Sequence, residues 1–169
     1  MIIRTELPSD VEAIRNLVYA AFENHPRHEP GAKPTEHLII DQLRANGELT
    51  LSLIGGQAGG MVGHIAFSPV TIDGEDKGWY GLGPVAIAPK HQGKGFGSAL
   101  IMEGMQQIKQ IGAKGVVLLG EPDYYSRFGF QQTKGLIFPG VPAQYFLQHT
   151  FEAETPTGTV DYSAAFAAS

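Results

Sequence analysis

The chain has 169 residues, 43% of them apolar, with 12 basic against 17 acidic side chains and a formal net charge of −5. That is enough apolar material for one compact domain over residues 1–169, with no basic stripe for nucleic acid or an anionic membrane and no run that approaches transmembrane length. Cysteine is absent, which excludes disulfides, thiolate metal sites and a cysteine nucleophile, and the N-terminus lacks the basic and apolar blocks of a signal peptide, so a cytoplasmic protein is expected.

Residues 1–5 read as a first strand. Ser9 and Asp10 offer caps for a helix whose apolar face carries Val11, Ile14, Leu17, Val18, Ala21 and Phe22. The polar stretch 25–33 reads as a loop, and its His25, His28 and Glu29 lack the partner spacing of a metal site. Pro34 and Thr35 open a second helix with Leu38, Ile39 and Leu43 on one face, and Gly47 closes it. A strand over 49–54, a turn over 55–60 and a strand over 61–67 follow, with Pro69 marking a bend before 70–72. Asp73-Gly74 is a hairpin signal. The strand through Trp79 and Tyr80 therefore returns antiparallel and continues to Ile87. Gly81, Gly83 and Pro84 interrupt it, and a bulge is expected there.

The next run is the most informative of the chain. Val85-Ala86-Ile87 ends a strand, Lys90-His91-Gln92-Gly93-Lys94-Gly95 makes a basic glycine turn, and Phe96-Gly97-Ser98 opens a helix that reaches residue 111. Glycines at 93, 95 and 97 let the chain bend into positive φ and let a ligand touch the main chain. Free N–H groups at the helix start add the positive end of its dipole, an arrangement suited to a pyrophosphate. Lys94 or the Gln92 amide can add a donor from the side. The ATP-binding P-loop pattern fails, because Lys94 is followed by Gly95. The dinucleotide fingerprint lacks its third glycine, although Glu121 after the next strand can mimic a ribose-binding acid.

Residues 115–119 form a buried strand, reached by a parallel crossover from the strand ending at Ile87. Pro122 and Asp123 open a short helix that ends at Gly129. Residues 131–138 are extended, 139–142 form a loop, 145–151 a long strand and 158–162 an edge piece. Residues 164–169 are expected to fray.

Val85-Ala86-Ile87-Ala88-Pro89 followed by Gln92-Gly93-Lys94-Gly95-Phe96-Gly97 resembles the acetyl-CoA signature of the GNAT superfamily of N-acetyltransferases, Gln/Arg-x-x-Gly-x-Gly/Ala after an apolar strand. Tyr124-Tyr125-Ser126-Arg127-Phe128-Gly129-Phe130 resembles the family's Phe-Tyr-x-Lys-x-Gly-Phe segment. The two blocks stand in the family's order with a strand between, and the resemblance covers Ile2 to about Leu136. It implies an α+β fold: a mixed, mostly antiparallel sheet flanked by helices, with a splayed parallel strand pair forming the slot for coenzyme A. It implies that acetyl-CoA is the co-substrate, that no metal is needed and that acetyl passes directly to an amine of a small molecule or peptide. Main-chain groups at Val85 and Ile87, with Ala86 between, would hold the pantetheine arm, and residues Gln92 to Ser98 the diphosphate. Tyr125 aligns with the family's general acid, a phenol of pKa ~10 that can protonate the departing thiolate. The chain departs from the pattern in one place. The link Gly120-Glu121-Pro122-Asp123 is short and removes an Asn that often contacts the cofactor.

The base that takes the amine's proton is not readable. His64, in a strand near the middle of the sheet, and Glu121, at the end of the strand from Gly115, are equal candidates. Two other readings stay open: a non-catalytic acyl-CoA-binding domain on the same scaffold, and an NAD(P)-binding oxidoreductase. Acceptor specificity is expected in residues 21–33 and in the segment after Phe138. The oligomeric state is open, a homodimer included.

Overall fold

The computed structural model describes residues 1–23, 25, 29 and 31–169, so His28 lies outside the described residues. The elements run β1 (Ile2–Thr5), α1 (Val11–Phe22), α2 (Glu36–Ala45), β2 (Leu51–Gln57), β3 (Gly60–Ile72), β4 (Trp79–Ile87), α3 (Phe96–Gln110), β5 (Gly115–Leu119), α4 (Pro122–Tyr125), β6 (Gln131–Gln132), β7 (Leu136–Ile137), β8 (Phe146–Thr150) and β9 (Gly158–Tyr162), with short 3-10 turns between. Among the described residues no helix is long and apolar enough to cross a membrane.

The strands lie in the order β1-β2-β3-β4-β5-β8-β6, and along this path only β4 and β5 are parallel. A parallel pair needs a crossover, which α3 supplies. Side chains alternate along a strand, so Leu53, Ile65 and Leu82 face α3 and meet Leu100, Ile101, Met105 and Ile108. On the other face α1 and α2 set Ile14, Leu17, Val18 and Ile40 against Ile54 and Ala86. Farther along, β9 pairs with Val70–Ile72 of β3 and brings Leu136 and Val160 onto Trp79, Val117 and Phe146. Each fully buried Leu or Ile contributes about 1.5–3 kcal/mol, so both faces hold the sheet.

Several local expectations are revised. Asp10 stands at the start of α1 but turns its carboxylate backwards, accepting from the Leu7 N–H at 2.6 Å and from Arg4 at 2.8 and 3.0 Å. The helix entry is thereby fixed to β1. The turn expected over 55–60 shrinks to Ala58-Gly59, because β2 and β3 stay paired out to Gln57 and Gly60. Pro69 does not break β3, which continues to Ile72 while its neighbour changes from β2 to β9. The C-terminal residues do not fray. Ala164–Ala167 forms a 3-10 turn capped by the Ser163 hydroxyl, with Ala165 buried against Ile39 and Leu43 of α2.

The bulge in β4 is where the sequence puts it. Ile65 pairs with Val85 and Phe67 with Leu82, so one extra residue of β4 is accommodated at Gly83-Pro84. Gly83 has φ +140°, which a side chain rarely tolerates, and Pro84 has no N–H to donate. On the other edge of β4 the pairing with β5 ends at Gly81–Val117. Past that point, among the described residues, β4 is paired only with β3 and β5 only with β8. The two strands part, and the cleft between them is the candidate site.

Candidate active site

At the end of β4 the chain makes a 3-10 turn, Pro89–His91, and enters the glycine loop. Gly93 and Gly95 adopt φ of +75° and +85°, and a Cβ at either would meet nothing within 4 Å. The loop is thus both left-handed and open above. Gly95 is the N-cap of α3, and the first bond into the helix runs from the Ala99 N–H to the Gly95 carbonyl. The N–H groups of Phe96, Gly97 and Ser98 stand ahead of that bond, at the positive end of the helix dipole. Gly97 is helical; a Cβ there would lie 3.6 Å from the Tyr124 hydroxyl and 3.7 Å from Ile87, ordinary contact. Lys90 and Lys94 make the loop locally positive. Slight burial first, then Lys94 and Lys90, lower the pKa of His91. The Gln92 amide is turned inwards, donating to the Ile87 carbonyl at 3.0 Å and tying the loop to the end of β4. The cradle fits a diphosphate: main-chain donors at the helix start, open space among the described residues at Gly93 and Gly95, and two lysines in the same loop.

Where β4 and β5 part, a cavity of about 580 Å³ opens, floored by Leu82, Gly83, Pro84 and Val85 and bordered by Leu119 and Tyr125. A second space of about 400 Å³ follows β4 past Ala86 and Ile87 to Pro89 and Gln92. Phe22, His25 and Val85 border both, so the two spaces adjoin at Val85.

Tyr125 is positioned by the short link Gly120-Glu121-Pro122-Asp123. A Cβ on Gly120 would collide with the Tyr125 ring, so the ring lies against bare main chain at the end of β5. The Glu121 carbonyl accepts the Tyr124 and Tyr125 N–H groups at 3.2 and 3.1 Å and starts α4. Tyr124 packs edge-on against Tyr125 at 4.9 Å, and the Arg127 guanidinium lies over the Tyr124 ring, 4.7 Å from its centroid. Its hydroxyl lies 3.2 Å from the Ser98 hydroxyl. Tyr124 thus joins α4 to the first turn of α3. Gly129 ends the turn in the left-handed conformation, φ +88°.

The two candidate bases are placed differently. The Glu121 residue is exposed at the start of α4, and its carboxylate does not cap that helix. His64 is completely buried on the α1 side of the sheet. There the Ser52 hydroxyl donates to the Glu6 carboxylate, which Arg44 pairs at 3.0 Å. The Ser52 oxygen therefore receives the Nε2–H of His64 at 2.7 Å, and Nδ1 is left as a sealed acceptor with no partner among the described residues. Burial drives the His64 pKa down to about 4, with Glu6 opposing and Arg44 assisting. Burial also raises the Glu6 pKa, but the Arg44 and Ser52 hydrogen bonds outweigh it and leave the carboxyl below its ordinary range. No group of His, Asp and Glu able to hold a metal occurs among the described residues.

Side chains that the sequence reading did not assign to a site complete the cavity: Glu36 and Ile39 from α2, Phe138 after β7, Tyr162 of β9 and Phe166 of the C-terminal turn. Tyr162 and Phe166 fall in the segment after Phe138 where specificity is expected; Glu36 and Ile39 lie outside both expected segments.

Residues 11–130 match the family model described as Acetyltransferase (GNAT) family. The chain is 38% identical over 132 residues to the uncharacterized N-acetyltransferase YhbS of Escherichia coli K12, covering 78% of this chain and 74% of that one. Among solved structures it resembles a GNAT family acetyltransferase from Brucella melitensis in complex with acetyl-CoA, with TM-score 0.85, 45% identity and coverage of 98% and 97%. It also resembles Escherichia coli YhbS in complex with CoA, with TM-score 0.87, 34% identity and coverage of 98% and 91%.

Proposed function

The chain belongs to the GNAT family of acetyltransferases, and from that premise we propose that it moves acetyl from acetyl-CoA directly onto a primary amine in the cleft between β4 and β5. The observation that carries this reading is the meeting of two spaces at Val85, one leading to the glycine loop and the other to a separate cavity. A dinucleotide oxidoreductase has no support in a sheet that is antiparallel at every pairing along its path except one.

Acetyl-CoA supplies the activated thioester. Main-chain N–H groups from Gly93 to Ser98 hold its diphosphate, with Lys94 beside them. Val85, Ala86 and Ile87 offer the unpaired edge of β4 to the pantetheine arm, as a further strand would be paired. The amine nitrogen attacks the carbonyl carbon, the C–N bond forms, the C–S bond breaks, and the proton lost by nitrogen balances the one gained by sulfur. Tyr125, at the cavity rim, gives the thiolate its proton. His25, bordering both spaces, takes the proton from the amine. Glu121 acts through its carbonyl, which aims α4. His64 stays neutral and holds β2, β3 and the Glu6–Arg44 ion pair together. Bringing two bound reactants together removes an entropic cost worth up to about 10 kcal/mol.

The test is a calorimetric titration with CoA, paired with thiol release from acetyl-CoA over a panel of primary amines. Binding with amine-dependent release is expected. Binding without release for any amine would leave only a coenzyme-binding domain.

A further inference from the structure

The acceptor cavity has a composition of its own. Five aromatic side chains from separate parts of the chain line it: Phe22, Tyr125, Phe138, Tyr162 and Phe166. Phe138 meets Tyr162 edge-on at 5.3 Å and 68°, and Tyr162 meets Phe166 at 5.0 Å and 72°. The Tyr162 ring is seated over Gly81, where a Cβ would come within 2.7 Å of it. Three rings thus form one continuous wall beside the point where β4 and β5 part. Edge-on rings that border a cavity offer both positive edges and negative faces to another ring.

Charge and enclosure narrow the occupant. Among the described lining residues Glu36 is the one carboxylate, and lysine and arginine are absent. A polyamine would bring several ammonium groups against an apolar wall with one counter-charge, and unpaired charges there are costly. An acceptor with one amino group loses its charge before it reacts and leaves nothing unpaired. The C-terminal turn also closes the cavity on one side. Ala165 is buried with Ile39 and Leu43 of α2, and the Ser163 hydroxyl donates to Glu48 at 2.8 Å. The two walls that carry Ile39 and Phe166 are therefore joined, which favours a compact molecule over a chain that must run through.

Resting on the acetyltransferase reading above, we infer that the acceptor is a compact arylalkyl primary amine, its ring against Phe138, Tyr162 and Phe166 and its nitrogen directed to Val85. Thiol release from saturating acetyl-CoA tests this with three probes: 2-phenylethylamine, spermidine and a tetrapeptide with a free N-terminus. The expected kcat/KM for 2-phenylethylamine exceeds the other two by about tenfold or more. Phe138→Ala should raise the KM for 2-phenylethylamine by about fivefold or more and leave the KM for acetyl-CoA unaltered; Phe166→Ala replaces it if the first variant does not fold. Preference for spermidine or the peptide overturns the inference and leaves the acetyltransferase reading intact, as does an unchanged KM in a folded variant. Release with no amine at all overturns both.

Discussion

The two ends of the cleft are built on opposite plans. At the proposed coenzyme end one unbroken run, Pro84 to Ser98, supplies strand edge, loop and helix start, and the groups on offer are main-chain amides. At the proposed acceptor end the wall comes from the end of α1, from α2, from Phe138 and from the C-terminal segment, and the groups on offer are side chains. An anion site made of backbone needs only the right dihedral angles, which a few glycines supply whatever side chains surround them. A pocket made of side chains is free to change with each acceptor while the loop stays as it is.

The largest effect expected from this contrast is at Gly95. A valine there must adopt φ near +85° and places a branched side chain over the amides. CoA affinity should fall by about a thousandfold, while the core contacts of Leu100 and Ile101 keep α3 folded. Gly97→Ala separates the two causes. The site is helical and its Cβ makes ordinary contacts, so the fold should gain up to about 1 kcal/mol of helix propensity. Unchanged CoA affinity in this more stable variant is what recognition through the N–H that alanine keeps requires; lowered affinity would place the coenzyme against the Cβ at 97, beside Tyr124 and Ile87.

Acid should weaken the acceptor side first. Unfolded, His64 binds a proton below its ordinary pKa of 6.5; folded, it does so only near about 4. Between these values the unfolded state holds more protons, so stability falls as pH drops from 6.5 towards 4, by about 3 kcal/mol, and is unaffected above that window. Glu6, lowered from 4.5, adds its own loss only in more acid solution. Urea melts at pH 7 and 4.5 measure the slope, and His64→Gln should flatten it. Hydrogen exchange should show α1 and α2 opening before α3, since His64 lies under the former pair.

Tyr125→Phe probes the junction of the two ends. Removing the phenol hydroxyl should lower kcat by about 100-fold, the lower end of what a positioned acid contributes. The KM for acetyl-CoA should hold within about twofold, because the ring keeps its seat against Gly120. An unaltered kcat across a pH series would move the proton donor elsewhere.

This division also explains what could be read from the sequence. The coenzyme end was legible because glycine and proline encode dihedral angles locally: the bulge at Gly83-Pro84, the left-handed Gly93 and Gly95, and the cap at Gly129 all fall where their residue types put them. The parallel β4–β5 pair was legible from the length of the helix between them. What failed depended on distant partners. Pro69 sits inside a strand because β9 takes over from β2 beside it, and residues 164–167 are ordered because α2 offers Ile39 and Leu43 to Ala165. His64 was legible as a strand histidine, but no local pattern announces a partner at Ser52 or a wall of α1 above it. Phe138, Tyr162 and Phe166 carry no motif, since an aromatic residue in a cavity wall has the same local sequence as one in the core.

The smallest effect concerns the one wall ring with a polar end. The Tyr162 hydroxyl is sealed from solvent and has no hydrogen-bond partner among the described residues, and burial drives its pKa up, so it stays protonated. A sealed hydroxyl without a partner costs about 1–3 kcal/mol. Tyr162→Phe removes it and keeps the ring over Gly81 and against Phe138 and Phe166. The variant should be as stable as the parent or more stable by about 1 kcal/mol, a rise of about 2–4 °C in Tm. Its KM for 2-phenylethylamine should not move, because a phenyl ring has nothing to offer the hydroxyl. A loss of stability would mean that the oxygen finds a partner within the fold, and a raised KM for a ring-hydroxylated amine alone would mean that the acceptor supplies one. The second outcome would sharpen the contrast between the two ends: the coenzyme read by bare amides, and the acceptor by ring faces with one polar atom set among them.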